Sequence, residues 1–303
     1  MKKNSRTAAM LGGSLEEYLH QRHTKSTTER YHRDILNYLE AITQEKAKSA
    51  TYSDIMDYVG MLCKKYSNPE TINVIIHAIK KYYYWLNHTG QRKTHPCRNL
   101  KLREKANRDI QLQDLFKPEE LELLMERKER YKDVKIKNQV IISLLIYQGL
   151  SRSDIVNLTL KDINLEEGTV YIKADTKTNS RTLKLKPRQI MLFYKYINET
   201  RPKLSCTAAM HCGSLILTKS GTAEQGEGIS YLMETSQYLF PERNLNTKTI
   251  RQSVIANLLK QGNDLRLVQV FAGHKYPGST EKYRQTGIEE LKAGIQKYHP
   301  LNK

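Results

Sequence analysis

Apolar residues recur at helical spacing through most of the first ninety positions. A segment SLEEYLHQR opens on a Ser14–Glu17 capping-box signature. Tyr31, Ile35, Tyr38, Leu39 and Ile42 follow a Thr27 or Thr28 cap, and Ile55, Met56, Tyr58, Val59 and Leu62 follow Thr51 and Ser53. Asn68-Pro69 then starts a helix whose apolar positions Ile72, Ile75, Ile76 and Ile79 run into Tyr82-Tyr83-Tyr84-Trp85-Leu86. Residues 14–90 are therefore expected to form a compact unit of four helices, behind a flexible basic tail at 1–13. Residues 91–116 carry many charges without sustained periodicity, a linker composition. Lys117-Pro118-Glu119-Glu120 starts a second domain, 117–303, in which 137–148 reads as a buried helix stopped by Gly149. The pattern then changes period. Thr169–Ile172 alternates as a strand, Lys177–Ser180 turns, and Arg181–Leu185 returns. A helix follows Pro187 at 189–198, and 203–230 reads as Gly- and Ser-rich loop around Leu215–Leu217. The fold class expected is mainly α with a small antiparallel β-sheet: a helical N-terminal domain and an α+β C-terminal domain.

Charge changes the picture. The 303 residues hold 50 Lys and Arg against 32 Asp and Glu, a formal net charge of +18, which points to a polyanionic partner. Arg22, His23, Lys25, Arg30, Arg33, Lys64, Lys65, Lys80 and Lys81 lie among the N-terminal helices. As a solvated face they would need no further role. With this excess of charge, contact with the phosphates of double-stranded DNA is the better reading, helped by hydroxyls at helix starts. The Tyr82–Trp85 cluster is read as core rather than as a base-stacking platform. No apolar run approaches a membrane span and no signal segment opens the chain, so a cytoplasmic protein that does not bind membranes is expected. The cysteines at 63, 97, 206 and 212 form no CxxC pair. Cys206, His211 and Cys212 are close in sequence but lack a fourth ligand, so free thiols and no metal are expected.

The chemistry concentrates near the carboxy end. Lys248 and Arg251, three apart, share one face of a helix that Gly262-Asn263 interrupts. A second helix leads to Gly273-His274, and Tyr283 stands nine residues beyond that histidine, across a Pro277-Gly278 turn. Two cations, an imidazole and a phenol able to converge on one point suit attack on a phosphodiester without metal: donors for a pentavalent phosphorane and a side-chain oxygen as nucleophile.

In order, spacing and helix context this stretch resembles the C-terminal motif of the tyrosine recombinases, the phage integrase family, with Lys248 where that motif has its first histidine. The resemblance covers about residues 14–298. It implies a core-binding SAM-like helical domain followed by a catalytic domain, and a site-specific recombinase of a bacterial mobile element. Tyr283 would form a 3′-phosphotyrosyl bond, aided by cations that favour its phenolate, while Arg251, Lys248 and His274 hold non-bridging oxygens. A lysine on the β-hairpin turn would protonate the departing 5′ oxygen, with Lys177 preferred over Lys173 and Lys184. Bond energy is kept in the phosphotyrosine and no P-loop is present, so no cofactor is expected. The implied partners are DNA, three further copies in a tetramer that passes through a Holliday junction, and accessory DNA-bending or directionality factors. The enzyme would act at the bacterial nucleoid.

One position departs from the motif. Where the family carries its first arginine, in Gly149-Leu150-Ser151-Arg152-Ser153-Asp154, this chain has Ser151, and the arginine comes one residue later. One residue on a helix is a rotation of about 100°. Either the helix start is irregular and Arg152 reaches in, or another cation supplies the charge. A branch of the family on bacterial mobile elements likewise lacks this arginine. After Tyr283, Ile288, Leu291, Ile295 and Tyr298 form an apolar stripe on a helix that the resemblance would dock on a neighbouring subunit. Three other readings compete: a type IB topoisomerase-like relaxing enzyme, a catalytically impaired DNA-binding relative, and an RNA-binding helical protein. The last fits the charge but none of the C-terminal spacing.

Overall fold

The computed structural model describes residues 12–103, 114–129, 131–205 and 213–284. Most of the 1–13 tail, the stretch with Cys206, His211 and Cys212, and the stripe at Ile288, Leu291, Ile295 and Tyr298 lie outside the described residues. The chain divides into two compact units, Met1–Arg108 and Asp109–Lys303.

The first unit holds five helices among the described residues: α1 (Gly12–His20), α2 (Lys25–Ile42), α3 (Gln44–Ser49), α4 (Tyr52–Lys65) and α5 (Pro69–His88). Four were expected; the short α3 carries one buried residue, Ala47, too few for a periodic signal. α1 begins two residues before Ser14. Thr24 holds the N-cap position of α2 without a side-chain capping bond, which leaves Thr28 buried within the helix. Thr51 and Asp54 form a capping box for α4, and Asn68 caps α5 with Pro69 at its first turn. Ile35, Tyr38 and Leu39 pack with Ile76, Ile79, Tyr82 and Tyr83 in one apolar cluster. Tyr38 and Tyr83 hydroxyls meet at 2.6 Å, and Tyr83 also donates to the Ala47 carbonyl at 2.9 Å. Tyr82, Tyr83 and Trp85 are buried, as core residues should be.

Residues 91–103, expected as linker, pack on this unit. Arg92 donates to the Lys48 and Ala50 carbonyls, both at 2.7 Å, and Cys97 and Leu100 are buried. Leu102 and Asn73 exchange hydrogen bonds.

The second unit opens with α6 (Pro118–Glu122) and a 3-10 turn, then α7 (Lys132–Gln148), an apolar helix that Gly149 ends in the left-handed conformation. α8 (Arg152–Asn157) leads to an antiparallel sheet of β1 (Ile163–Asn164), β2 (Thr169–Ile172) and β3 (Arg181–Lys184), paired in that order with Val170 opposite Leu183. Val170, Ile172 and Leu183 turn inward, each burial contributing about 1.5–3 kcal/mol. α9 (Pro187–Lys195) continues through a π turn into α10 (Arg201–Ser205). α11 (Glu227–Glu234) begins inside the stretch read as loop, with Ile229, Leu232 and Met233 buried. α12 (Thr247–Lys260), α13 (Leu265–Ala272) and α14 (Gly278–Glu281) complete the described chain. Among the described residues no helix is long and apolar enough to cross a membrane.

Candidate active site

Arg251 lies in the second turn of α12, which Asn246 caps by accepting from the Lys248 and Thr249 amides, both at 2.9 Å. Its guanidinium is held by two helix ends. Nη1 donates to the Gly149 carbonyl at 2.6 Å and Nη2 to the Ala272 carbonyl at 2.5 Å. Terminal carbonyls of a helix lack intrahelical donors, so α7 and α13 together make a socket for a cation. Asp154 of α8 stands 4.0 Å from the same Nη1. Burial, and next the like charge of Arg181, hold the Arg251 pKa below its ordinary value.

His274 follows Gly273, the left-handed residue that ends α13. Its Nδ1 lies 2.8 Å from the hydroxyl of buried Thr280. Burial, then Arg251, then Arg181 push its pKa down to about 4, so the ring is neutral at pH 7. The Tyr283 ring lies parallel to it, centroids 6.3 Å apart and planes 15° apart, against the apolar cluster of Ile255, Val268 and Ala272. The phenol hydrogen-bonds Gln252. Burial raises the Tyr283 pKa; Arg251 and the Gln252 bond oppose it without reversing it. The phenolate that the cations were expected to favour is thus outweighed by burial in the free protein.

Arg251, His274 and Tyr283 therefore meet within one chain. The β2–β3 loop comes to the same place: Thr178 forms a β-bridge with His274, and the Asn179 amide donates to the Gly273 carbonyl at 2.8 Å. Lys275 donates to the Thr176 carbonyl at 3.0 Å, pinning the loop around exposed Lys177. Lys173 is engaged elsewhere, paired with Asp162 at 3.2 Å, and Lys184 is exposed on β3. Lys248 is exposed in the first turn of α12.

Arg152 does not join them. Its Nη1 donates to Ser230 of α11 at 2.9 Å and its stem crosses Gly226. Ser151 caps α8, accepting from the Asp154 amide at 3.1 Å while Asp154 accepts from the Ser151 amide at 3.0 Å. The reason is the rotation along the helix: Arg152 stands about 100° round α8 from its cap and faces α11.

A residue not singled out from the sequence does join them. Arg181, the first residue of β3, has a side chain only 2% exposed and pairs with Asp154 at 3.2 Å. Its guanidinium lies against Gly273, where an added Cβ would overlap Nη1. Its Nε is buried without a hydrogen-bond partner. The signal was present: alternation puts residues 181, 183 and 185 on one face, and an arginine on an otherwise apolar strand face is unusual.

In the N-terminal unit, Arg22 and Lys81 both depress the pKa of His23, after burial. Burial first, then Lys80, Lys81 and Lys101, do the same to His77, so these cations lie near the two rings. Arg30 and Arg33 stand 3.8 and 3.9 Å from Asp34, which offsets part of their charge. Lys25 is exposed at the start of α2; Lys64 and Lys65 are exposed in the last turn of α4, where cations also favour the helix dipole.

Residues 114–290 match the family described as phage integrase, and residues 14–90 match the phage integrase N-terminal SAM-like domain. A protein named tyrosine recombinase XerD from Oceanobacillus iheyensis is 26% identical over 307 residues, covering 96% of this chain and 99% of its own. One named tyrosine recombinase XerC from Staphylococcus aureus is 24% identical, covering 92% of each. Among solved structures, XerH site-specific recombinase bound to palindromic difH substrate, in a post-cleavage complex, superposes with a TM-score of 0.68 at 19% identity, over 89% of this chain and 79% of that one. Tn1549 transposon integrase in complex with transposon right end DNA gives 0.66 at 16% identity, over 98% and 99%. At such identities the structural likeness speaks for the fold.

Proposed function

The chain belongs to the phage integrase family, and on that premise we propose that it is a site-specific DNA recombinase that cuts and rejoins DNA through Tyr283. The observation that carries this reading is the meeting of Arg251, His274 and Tyr283 in one chain, with the β2–β3 loop beside them.

The scissile phosphate takes the place that these groups surround. Arg251 is fixed by two carbonyls before substrate arrives, so little reorganisation is left for the transition state. A Thr280 hydroxyl donating to Nδ1 leaves the proton of neutral His274 on Nε2, where it donates to a non-bridging oxygen. The Tyr283 oxygen forms its bond to phosphorus as the phenol proton passes to solvent water, and the bond to the 5′ oxygen breaks. Lys177, on a loop pinned at Thr176, Thr178 and Asn179, protonates that oxygen. Lys248 supports the phosphate from the exposed start of α12. A 5′ hydroxyl from a second duplex reverses the step on a new partner, and four subunits carry the exchange through a Holliday junction. The helical unit grips the core DNA through Arg22, Lys80 and Lys81, with Lys25, Arg30, Arg33, Lys64 and Lys65 as outlying phosphate contacts.

A nicked duplex carrying an end of the parent mobile element tests this, because loss of the short strand traps the covalent complex. The wild-type chain is expected to give a DNA adduct stable to denaturant, and Tyr283→Phe none. Ser151 is the one feature that favours a DNA-binding relative without chemistry. Tight binding with no wild-type adduct would establish that reading instead.

A further inference from the structure

The missing first arginine leaves a deficit of charge at the phosphate pocket. We propose that Arg181 makes it good, delivering from β3 the guanidinium charge that position 151 lacks. The inference rests on the recombinase reading and adds a residue to it.

Four observations converge. Arg181 and Arg251 share a single carboxylate, Asp154, at 3.2 and 4.0 Å, so the buried cluster keeps an excess positive charge. Two like charges are not brought together in a low-dielectric site without an anion to hold them, because an uncompensated buried charge is strongly disfavoured. Phosphate is that anion. Second, Arg181 Nε is a buried donor without a partner, so Asp154 does not by itself satisfy the guanidinium. Third, the contact is built in: Gly273, at φ +71° and immediately before His274, admits the guanidinium where a Cβ would exclude it. Fourth, Asp154 binds the amide of residue 151 as well as Arg181, so the substitute sits on the same carboxylate as the position it replaces. Almost wholly covered in the free protein, Arg181 acts through its charge on Arg251, His274 and the phosphate they hold, and is a positioning residue.

The test compares adduct formation on the nicked duplex by the wild-type full chain, Arg181→Gln, Arg181→Lys, and Arg181→Gln combined with Ser151→Arg. Arg181→Gln is expected to slow single-turnover cleavage by about 10²–10³-fold, with duplex affinity changed only a few-fold. Arg181→Lys is expected to keep more of the rate. Ser151→Arg in the Arg181→Gln background is expected to recover at least about tenfold, because it returns a guanidinium at the position where the motif carries one. Should Arg181→Gln fold poorly, Asp154→Asn/Arg181→Gln removes both charges and leaves no orphaned carboxylate; the same rate loss and the same recovery by Ser151→Arg are expected there. By NMR, the His274 pKa is expected to rise when Arg181 is neutralised, since a cation that depresses it is gone. A wild-type adduct together with unchanged cleavage per folded Arg181→Gln molecule, or with no recovery by Ser151→Arg, overturns this inference alone. Absence of a wild-type adduct overturns the recombinase reading and this inference with it.

Discussion

Asp154→Asn tests the charge balance of the site. The Asp154 side chain is 5% exposed and that of Arg181 is 2% exposed, so water screens their 3.2 Å pair very little. Asparagine keeps an oxygen able to accept from the Ser151 amide, so most of the α8 cap survives and the loss is one of charge. Removing one partner of a buried pair costs roughly 3–5 kcal/mol, because the remaining ion is left uncompensated. Arg251, farther at 4.0 Å and 13% exposed, adds less. At roughly 2–4 °C per kcal/mol for a unit of this size, the catalytic unit's melting temperature should fall on the order of 10 °C. The same change leaves two guanidinium groups with no carboxylate, so inorganic phosphate should stabilise the variant more than the wild type. Thermal unfolding with and without phosphate measures both. A variant melting within about 3 °C of wild type, or an equal phosphate increment in both proteins, would refute the charge balance described here.

Gly273→Ala places a Cβ on a left-handed residue and against Arg181 Nη1. The backbone alone costs about 1–2 kcal/mol, so a lowered melting temperature and at least a tenfold loss of cleavage are expected; a rate equal to wild type would contradict the packing. His274 has a folded-state pKa of about 4 against 6.5 in the unfolded chain, which therefore binds more protons between those values. Its contribution to stability is fully present above pH 6.5 and is lost as pH falls towards 4. Unfolding of the wild type and His274→Asn across that window should show the variant with the shallower decline, and equal slopes would contradict burial of a neutral ring. Lys80→Ala/Lys81→Ala should weaken duplex binding and make the dependence of log affinity on log salt shallower by about 2, as two phosphate contacts require. An unchanged salt slope would place DNA elsewhere on the N-terminal unit.

Much of this fold is legible because its signals are local. Asn68-Pro69 starts a helix through a side-chain cap and a preset φ, Gly149 ends one in a left-handed conformation that other residues adopt at a cost, and Thr169–Ile172 against Arg181–Lys184 alternates cleanly. What was missed depends on contacts distant in sequence. Residues 91–103 hold few apolar anchors, and only the fold reveals that Arg92 and Cys97 dock on the first unit. Of the site, Arg251, His274 and Tyr283 were legible from spacing, whereas the choice between Arg152 and another cation turned on which way one turn of α8 faces. Burial was equally invisible: residue types suggest cations beside a phenol, but not that desolvation of Tyr283 outweighs them.

Mixing two inactive variants asks most directly whether cation socket and nucleophile belong to the same subunit. Tyr283→Phe keeps the socket and Arg251→Ala keeps the phenol, and each alone should give no adduct on the nicked duplex. With Tyr283 stacked on His274 of its own chain, the mixture should remain inactive. Adduct formation restored by mixing would mean that the phenol is donated by a neighbour, and would contradict the site described here.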